Sequence, residues 1–286
     1  MVDAARAAEL VGEQFPRLKG ASVRVLGEGW DNTVHLVGDQ WVFRFPRREQ
    51  ALDGVRREIA VLPWLAPQLP LPIPVPELIG SENGWPFWGG RLVPGTEMVG
   101  MPEAGRAPVA VAVGRFLRAL HDTDPPADLR AALPTDPMRR ANPAVRGTAT
   151  RRWLAELEQP GLPDLEPLLE EAAGLGDPTR EPCLVHGDLH VRHLMVEGGA
   201  ASGVIDWGDV CLADPSVDLS LAFSAFAGDA RQAFLAAYGA ISNETALRAR
   251  VLGGFLCAAL AAYAVAEGNA PLLDETVQGL ARCIAD

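Results

Sequence analysis

Ser22–Leu26, Thr33–Val37 and Gln40–Phe45 are runs of β-branched, aromatic and alternating polar residues separated by turn formers, a pattern that predicts three short strands. Gly38-Asp39 reads as the tight turn joining the last two. From Glu49 to Ala66 the period changes to that of a helix, with Leu52, Val55, Ile59, Leu62 and Leu65 on one apolar stripe. Glu58 falls on the flank of that stripe, where a carboxylate needs a cationic partner because burying it alone is costly. The segment Pro67-Gln-Leu-Pro-Leu-Pro-Ile-Pro-Val-Pro76, with five prolines in ten residues, must be extended. A strand pair is expected to follow, ending at Trp88-Gly-Gly-Arg-Leu-Val-Pro-Gly95, where Pro and Gly make a natural hinge.

Beyond the hinge the periodicity is helical. Val109, Val113, Phe116, Leu117 and Leu120 share one face, and residues 214–284 hold Ala/Leu-rich helical segments broken at Gly228, Asn243 and Gly268. Between them lies a strand–loop–strand island from Cys183 to Asp209. This layout predicts an α+β fold of two lobes: residues 1–95 as a small antiparallel-sheet lobe with one helix, and residues 96–286 as a mainly helical lobe. At 286 residues the chain is long enough for both.

Charge separates the lobes further. The chain carries 25 basic and 37 acidic residues, and nearly all of its net charge of −12 falls beyond residue 95. Such a balance disfavours nucleic acid as a partner and suits a cationic one. The uncharged run Val251–Ala266 is shorter than the roughly 20 residues that span a bilayer, so no membrane partner is expected. The four cysteines match neither a zinc nor a disulfide spacing and point to a reducing, cytoplasmic compartment. Without a heptad pattern, a monomer is expected.

Chemistry concentrates in His186-Gly-Asp-Leu-His-Val-Arg-His193 and Ile205-Asp-Trp207, which together hold three of the five histidines. A hairpin between the two pieces returns Asp206 to the end of the island that carries Asp188 and His193. Two chemistries suit this set. In phosphoryl transfer, Asp188 takes the proton of an attacking hydroxyl and Asp206 holds Mg²⁺ on the nucleotide phosphates. In metal-assisted hydrolysis, His186, Asp188, His190 and His193 ligate zinc or iron, which leaves Asp206 and the first lobe without a role. A purely structural use of these groups, capping turns, stays open beside them.

The paired motif resembles that of the aminoglycoside phosphotransferase and choline kinase-like family, small-molecule kinases with the protein-kinase fold, and the order of elements agrees along nearly the whole chain. The resemblance implies Asp188 as catalytic base, Asp206 as magnesium ligand, His186 as the residue that opens the catalytic loop, and Asp218 as the acid that braces it. It also implies ATP or GTP as donor, with Gly27 and Gly29 covering phosphates and Arg91 and Val93 offering backbone groups to the purine.

Two positions depart from the commonest family pattern. His193 stands where many members have a magnesium-binding Asn, and Arg44 stands where the third strand carries Lys. Arg44 shares a strand face with Val42 and projects toward Glu58, so an Arg44–Glu58 pair is expected to replace Lys–Glu. These departures are similar to motifs of the macrolide 2′- and aminoglycoside 2″-phosphotransferases. The resemblance therefore implies an antibiotic-modifying kinase whose acceptor is an aminoglycoside, a macrolide or a cationic peptide of the capreomycin and viomycin kind. Glu267, Asp274 and Glu275, near a helix junction, are candidate contacts for its ammonium groups. A metabolic kinase for choline, a sugar or homoserine, and a nucleotide-binding protein without activity, are the alternatives.

Overall fold

The computed structural model describes residues 2–157 and 159–285. Helix α1 (Ala4–Gln14), capped by the Asp3 carboxylate on the Arg6 N–H, lies against a sheet of β1 (Val23–Glu28), β2 (Asn32–Val37), β3 (Trp41–Pro46), β4 (Leu78–Glu82) and β5 (Trp85–Arg91). The sheet is antiparallel, ordered β1-β2-β3-β5-β4. Strand alternation sorts its side chains. Phe43, Phe45 and Phe87 pack toward α1, while Arg44, buried and paired with Glu58, points to the other face. The β2–β3 connection is one residue longer than the sequence pattern suggests, because Val37 pairs with Trp41 and Gln40 joins the loop.

Helix α2 (Leu52–Leu65) covers that second face. The stripe it buries is rotated from the one expected: Glu58 is 1 % exposed and lies inside it, whereas Ile59 is only half-buried. A carboxylate occupies a core position because its partners are waiting there. Contrary to the expectation, the proline run begins in a short 3₁₀ turn (Ala66–Gln68), where Pro67 is tolerated in the first turn; the rest carries no helix and packs against the second lobe, Pro72 accepting a hydrogen bond from the Val204 N–H at 3.0 Å.

The chain crosses at Leu92–Gly95 into β6 (Thr96–Glu97), α3 (Arg106–Asp122), α4 (Ala127–Ala132), α5 (Pro143–Glu156) and α6 (Glu166–Ala172). Next come β7 (Cys183–Val185), β8 (Leu194–Glu197), β9 (Ala200–Val204) and β10 (Cys211–Ala213), and then α7 (Ser216–Ser224), α8 (Gly228–Tyr238), α9 (Asn243–Ala266) and α10 (Ala270–Ile284). The helix breaks fall where the sequence places them: Gly228 opens α8, the Ser242 side chain caps α9, and Gly268 separates α9 from α10. α3 and α8 meet closely at Gly114, where an added Cβ would lie 2.5 Å from the Phe234 carbonyl oxygen. The main core runs from Val61, Leu62 and Leu65 of α2 through α3 to Leu184, Leu194, Val204 and Trp207 of the island and on to α7 and α8. The island is therefore fixed from both sides by apolar packing, and within its loop His186 and His190 are buried while Asp188 and His193 are half-buried.

Candidate active site

The loop between β7 and β8 is built on Asp218, the third residue of α7, which is fully buried. Its carboxylate accepts the His186 N–H at 2.7 Å and the Gly187 N–H at 3.0 Å, and lies 3.2 Å from His121 Nε2. Burial alone would raise the Asp218 pKa; the hydrogen bond and charge of His121 and the His186 amide outweigh it and hold the carboxyl below its ordinary value. Gly187 has φ +92°, and a Cβ there would sit 2.2 Å from the Asp209 carbonyl oxygen, so no other residue fits this turn. His186 is locked in place. Its Nδ1 accepts the Asp188 N–H at 3.2 Å, so Nε2 donates to the Ile205 carbonyl oxygen at 2.9 Å, and burial lowers its pKa to keep the ring neutral.

Asp188 and Asp206 meet through one imidazole. His193 Nδ1 donates to the Asp188 carbonyl oxygen at 2.8 Å, which turns Nε2 toward Asp206 Oδ2 at 3.3 Å. Asp206 follows β9 with φ +68°, an uncommon backbone conformation for a non-glycine residue and one that concentrates at functional sites. Its Oδ1 accepts from Arg44 Nη2 at 2.6 Å, and the side chain remains 45 % exposed, open to the cleft. Enclosure between the lobes would raise the Asp206 pKa, but the charges of Arg44 and His193 hold it well below the usual carboxylate range. For His193, burial favours the neutral ring and the Asp206 charge overrides it, so its pKa is raised.

Arg44 also reaches Glu58 Oε1 at 3.5 Å, and Glu58 Oε2 accepts the Trp88 indole N–H at 3.0 Å. Burial raises the Glu58 pKa, and Arg44 only partly opposes it. One guanidinium thus links Glu58 on the helix of the first lobe to Asp206 of the second. A lysine ammonium is a point charge, whereas the arginine fork presents several donors, which suits a site with two carboxylates and incoming phosphates.

The glycine loop after β1 is tied down by the arginines that follow β3. Arg47 donates to the Gly29 carbonyl oxygen at 2.7 Å, and Arg48 to Asp31 at 2.6 Å. Gly27 lies within β1, paired with Val34, and not in the loop where the sequence places it; an added Cβ there would meet nothing within 4 Å, and at Gly29, in the loop itself, only the Asn32 carbonyl oxygen at 3.6 Å. Trp30, 81 % exposed, stands at its tip. At the hinge, Arg91 is turned outward, its guanidinium 4.1 Å from the Trp41 ring centre and bonded to Gln40, while the Val93 side chain is buried against Gly203. A surface cavity of about 260 Å³ lies elsewhere, on the α1 side of the sheet beside Phe45, Glu82 and Trp85.

The structure corrects one candidate substrate contact. Glu275 is 4 % exposed and enclosed in ion pairs, with Arg106 at 2.6 Å and Arg282 at 2.8 Å. Burial would raise its pKa, but the Arg106 and Arg282 guanidinium groups hold it down. Both its oxygens are occupied by arginines that also bond to backbone carbonyls, so it ties α10 to α3 and has no free oxygen for an incoming ammonium group. Glu267 and Asp274 are exposed near the junction, where Asn269 caps α10.

Zinc or iron ligation by the histidines fares badly. Both ring nitrogens of His186 are already bonded. Asp188, His190 and His193 do offer ligating atoms within 4.8 Å of one another. The His190 and His193 rings, however, stack at 3.8 Å with a 30° tilt, so their in-plane lone pairs do not converge. Asp206 Oδ2 and His193 Nε2 lie 3.3 Å apart, an oxygen and a nitrogen donor near enough to share one divalent cation, the carboxylate suiting Mg²⁺ and the imidazole making Mn²⁺ the better fit of the two.

Two partners escaped the sequence reading. Arg140, in the loop before α5, lies 3.1 Å from Asp188 Oδ1 and 3.4 Å from Asp209 Oδ2. The only signal is an arginine pair, Arg139-Arg140, in a loop rich in turn formers, which by itself reads as solvated surface. Trp88 is visible in sequence only as a strand aromatic.

Comparison with known proteins agrees with this geometry. The profile of the phosphotransferase enzyme family matches residues 22–252. The chain is 28% identical over 257 residues to the viomycin phosphotransferase of Streptomyces vinaceus, covering 85% of this chain and 88% of that one. The fold is similar to that of APH(2″)-IIIa, solved with GDP and kanamycin, with TM-score 0.73, 24% identity and 97% of each chain covered. It is also similar to the macrolide 2′-phosphotransferase MphH of Brachybacterium faecium, with TM-score 0.62, 24% identity, and 96% of this chain and 97% of that one covered. The match runs from the start of β1 into α9 and takes in the segments that carry Asp188, His193 and Asp206, and the chain belongs to the phosphotransferase enzyme family.

Proposed function

We propose that this protein is an antibiotic kinase that moves the γ-phosphoryl group of GTP or ATP onto a hydroxyl of a cationic antibiotic, with a viomycin-type peptide as the first candidate. The observation that carries the reading is the cluster in which His193 joins the Asp188 backbone carbonyl to the Asp206 carboxylate and Arg44 pairs with Asp206. The viomycin phosphotransferase similarity and the acidic helical lobe favour a polycation over a neutral macrolide.

Each residue has a task in this reaction. Asp188 accepts the proton of the acceptor hydroxyl at Oδ2, the oxygen Arg140 does not occupy. The acceptor oxygen then bonds to the γ-phosphorus as the bond to the β-phosphate bridging oxygen breaks, and the nucleoside diphosphate departs with that electron pair. Arg44 donates to phosphate oxygens while Glu58 keeps the guanidinium in place. Asp206 and His193 are the residues that would hold Mg²⁺, whose charge, when bound, offsets that of the phosphates. Gly27 and Gly29 leave room for the phosphates, and the Arg91–Val93 backbone faces the purine. The free thiols and a nucleotide donor suit a cytoplasmic enzyme.

The test is incubation with Mg²⁺ and GTP or ATP against viomycin, capreomycin, kanamycin, gentamicin and erythromycin, read by mass spectrometry for one added phosphate. Product with the cationic members supports the proposal. Product with erythromycin alone, or with none while nucleotide still binds, overturns it.

A further inference from the structure

Among the described residues, the Arg140 guanidinium bonds to two carboxylates of the island and to nothing in its own segment, Asp188 Oδ1 at 3.1 Å and Asp209 Oδ2 at 3.4 Å. The side chain is 11 % exposed, so the cation has been taken largely out of water to meet them. Burial would lower the Arg140 pKa, and the charges of Asp188 and Asp209 more than offset this, keeping the group charged.

The loop that delivers it is built with care. The Asp136 carboxylate accepts the backbone N–H groups of Arg140 at 2.7 Å and Ala141 at 3.0 Å. Thr135 and Leu212 form a bridge, and the Asp136 N–H donates to the Leu212 carbonyl oxygen at 2.9 Å, which pins the loop to β10. Asp136 at φ +33° and Arg139 at φ +49° are both left-handed non-glycine residues. Backbone strain of this kind persists where the surroundings enforce it, often at functional sites. The loop is anchored without the guanidinium, which leaves the guanidinium free for another purpose.

We propose that Arg140 is a positioning residue for phosphoryl transfer: bridging Asp188 and Asp209, it holds the Asp188 carboxylate in the orientation that leaves Oδ2 for the acceptor proton. Asp209 lies three residues after Asp206, so the same bridge couples the base to the turn that carries the metal-type aspartate. Without Arg140 the Asp188 carboxylate loses its close cationic partner, since the other basic side chain within 4 Å among the described residues, His190 Nε2, lies 3.8 Å away, beyond hydrogen-bond reach. The inference rests on the proposed kinase reading.

The experiment compares wild type with Arg140→Gln, Arg140→Lys and Asp209→Asn on the acceptor that the wild type phosphorylates. For Arg140→Gln a fall of about 100-fold in kcat is expected, with both KM values within about threefold, because a displaced base slows the chemical step without weakening binding. Arg140→Lys recovers at least about tenfold of that loss, and added methylguanidine raises the turnover of Arg140→Gln. Asp209→Asn, which keeps the cation on Asp188, lowers kcat by about three- to tenfold. A kcat for Arg140→Gln within threefold of wild type, a loss confined to acceptor KM, or no rescue by either Lys or methylguanidine overturns the proposal. Should Arg140→Gln fail to fold, Asp209→Asn decides. If the wild type phosphorylates no antibiotic, the functional reading has failed. A crystal structure of Arg140→Gln then tests the positioning claim by itself: a rotated or disordered Asp188 carboxylate supports it, and an unmoved one overturns it.

Discussion

Asp218→Asn tests whether the catalytic loop stands on a buried charge. In the wild type the carboxylate meets three donors: the His186 and Gly187 amides at 2.7 and 3.0 Å, and His121 Nε2 at 3.2 Å. Hydrogen bonds to a charged group contribute about 1.5–3 kcal/mol each, against about 1 kcal/mol for neutral ones. The asparagine keeps one acceptor oxygen but presents an NH₂ group to at least one of these donors, at a position that is fully buried. The summed loss is about 3–5 kcal/mol, a third or more of the stability of an ordinary domain. A drop of that size lowers the melting temperature by about 6–20 °C. Equilibrium denaturant unfolding at pH 7 measures it. The same charge has a pH signature. Because the folded pKa of Asp218 lies below its unfolded value, near 3.9, the stability it supplies is complete above about pH 4 and fades as pH falls toward the folded pKa. Asp218→Asn should lack that part of the acid dependence. A loss under about 1 kcal/mol with an unchanged acid limb would refute the brace.

Further outcomes follow from the same geometry. Arg44→Met strands Glu58, 1 % exposed, without its cation and should cost about 3–5 kcal/mol, most of it recovered by adding Glu58→Gln; the urea midpoints of the three variants check this. His193→Asn replaces the imidazole nitrogen with an amide oxygen, so the ratio of Mn²⁺- to Mg²⁺-supported turnover should fall by about tenfold, measured at saturating nucleotide. Glu275→Gln should lower the melting temperature, because it weakens the pairing of Arg106 and Arg282, and should leave the acceptor KM within about twofold; a large rise in that KM would return Glu275 to the substrate site.

What the sequence made legible follows from how local each feature is. The segments around Asp188 and Asp206 are short motifs that carry a family resemblance, which together with the strand period also set Arg44 against Glu58, while the expected strands and helices depend on periods of two or 3.6 residues. Ile59 and Glu58 show where periodicity stops short. Both lie near the edge of the stripe, and the deciding factor is that Arg44 and Trp88 meet Glu58 from the sheet. Arg140 lies 48 residues from Asp188 in an irregular loop, so no period could bring the two together. Glu275 misled for the opposite reason. Its place near a helix junction suggested solvent, and only the packing of α3, α7 and α10 reveals two guanidinium groups enclosing it. Charge counts gave a net field without saying which acids are free to act.

The division of labour between Asp188 and Asp206 is tested most directly by measuring nucleotide affinity and turnover together in Asp188→Asn and Asp206→Asn. In Asp188→Asn the affinity for Mg²⁺-nucleotide should match the wild type while turnover falls by about 10²- to 10⁴-fold, the usual worth of a positioned general base. In Asp206→Asn the Mg²⁺-dependent part of nucleotide affinity should vanish along with turnover. Retained turnover in Asp188→Asn, or Mg²⁺-dependent affinity unchanged in Asp206→Asn, would contradict the account.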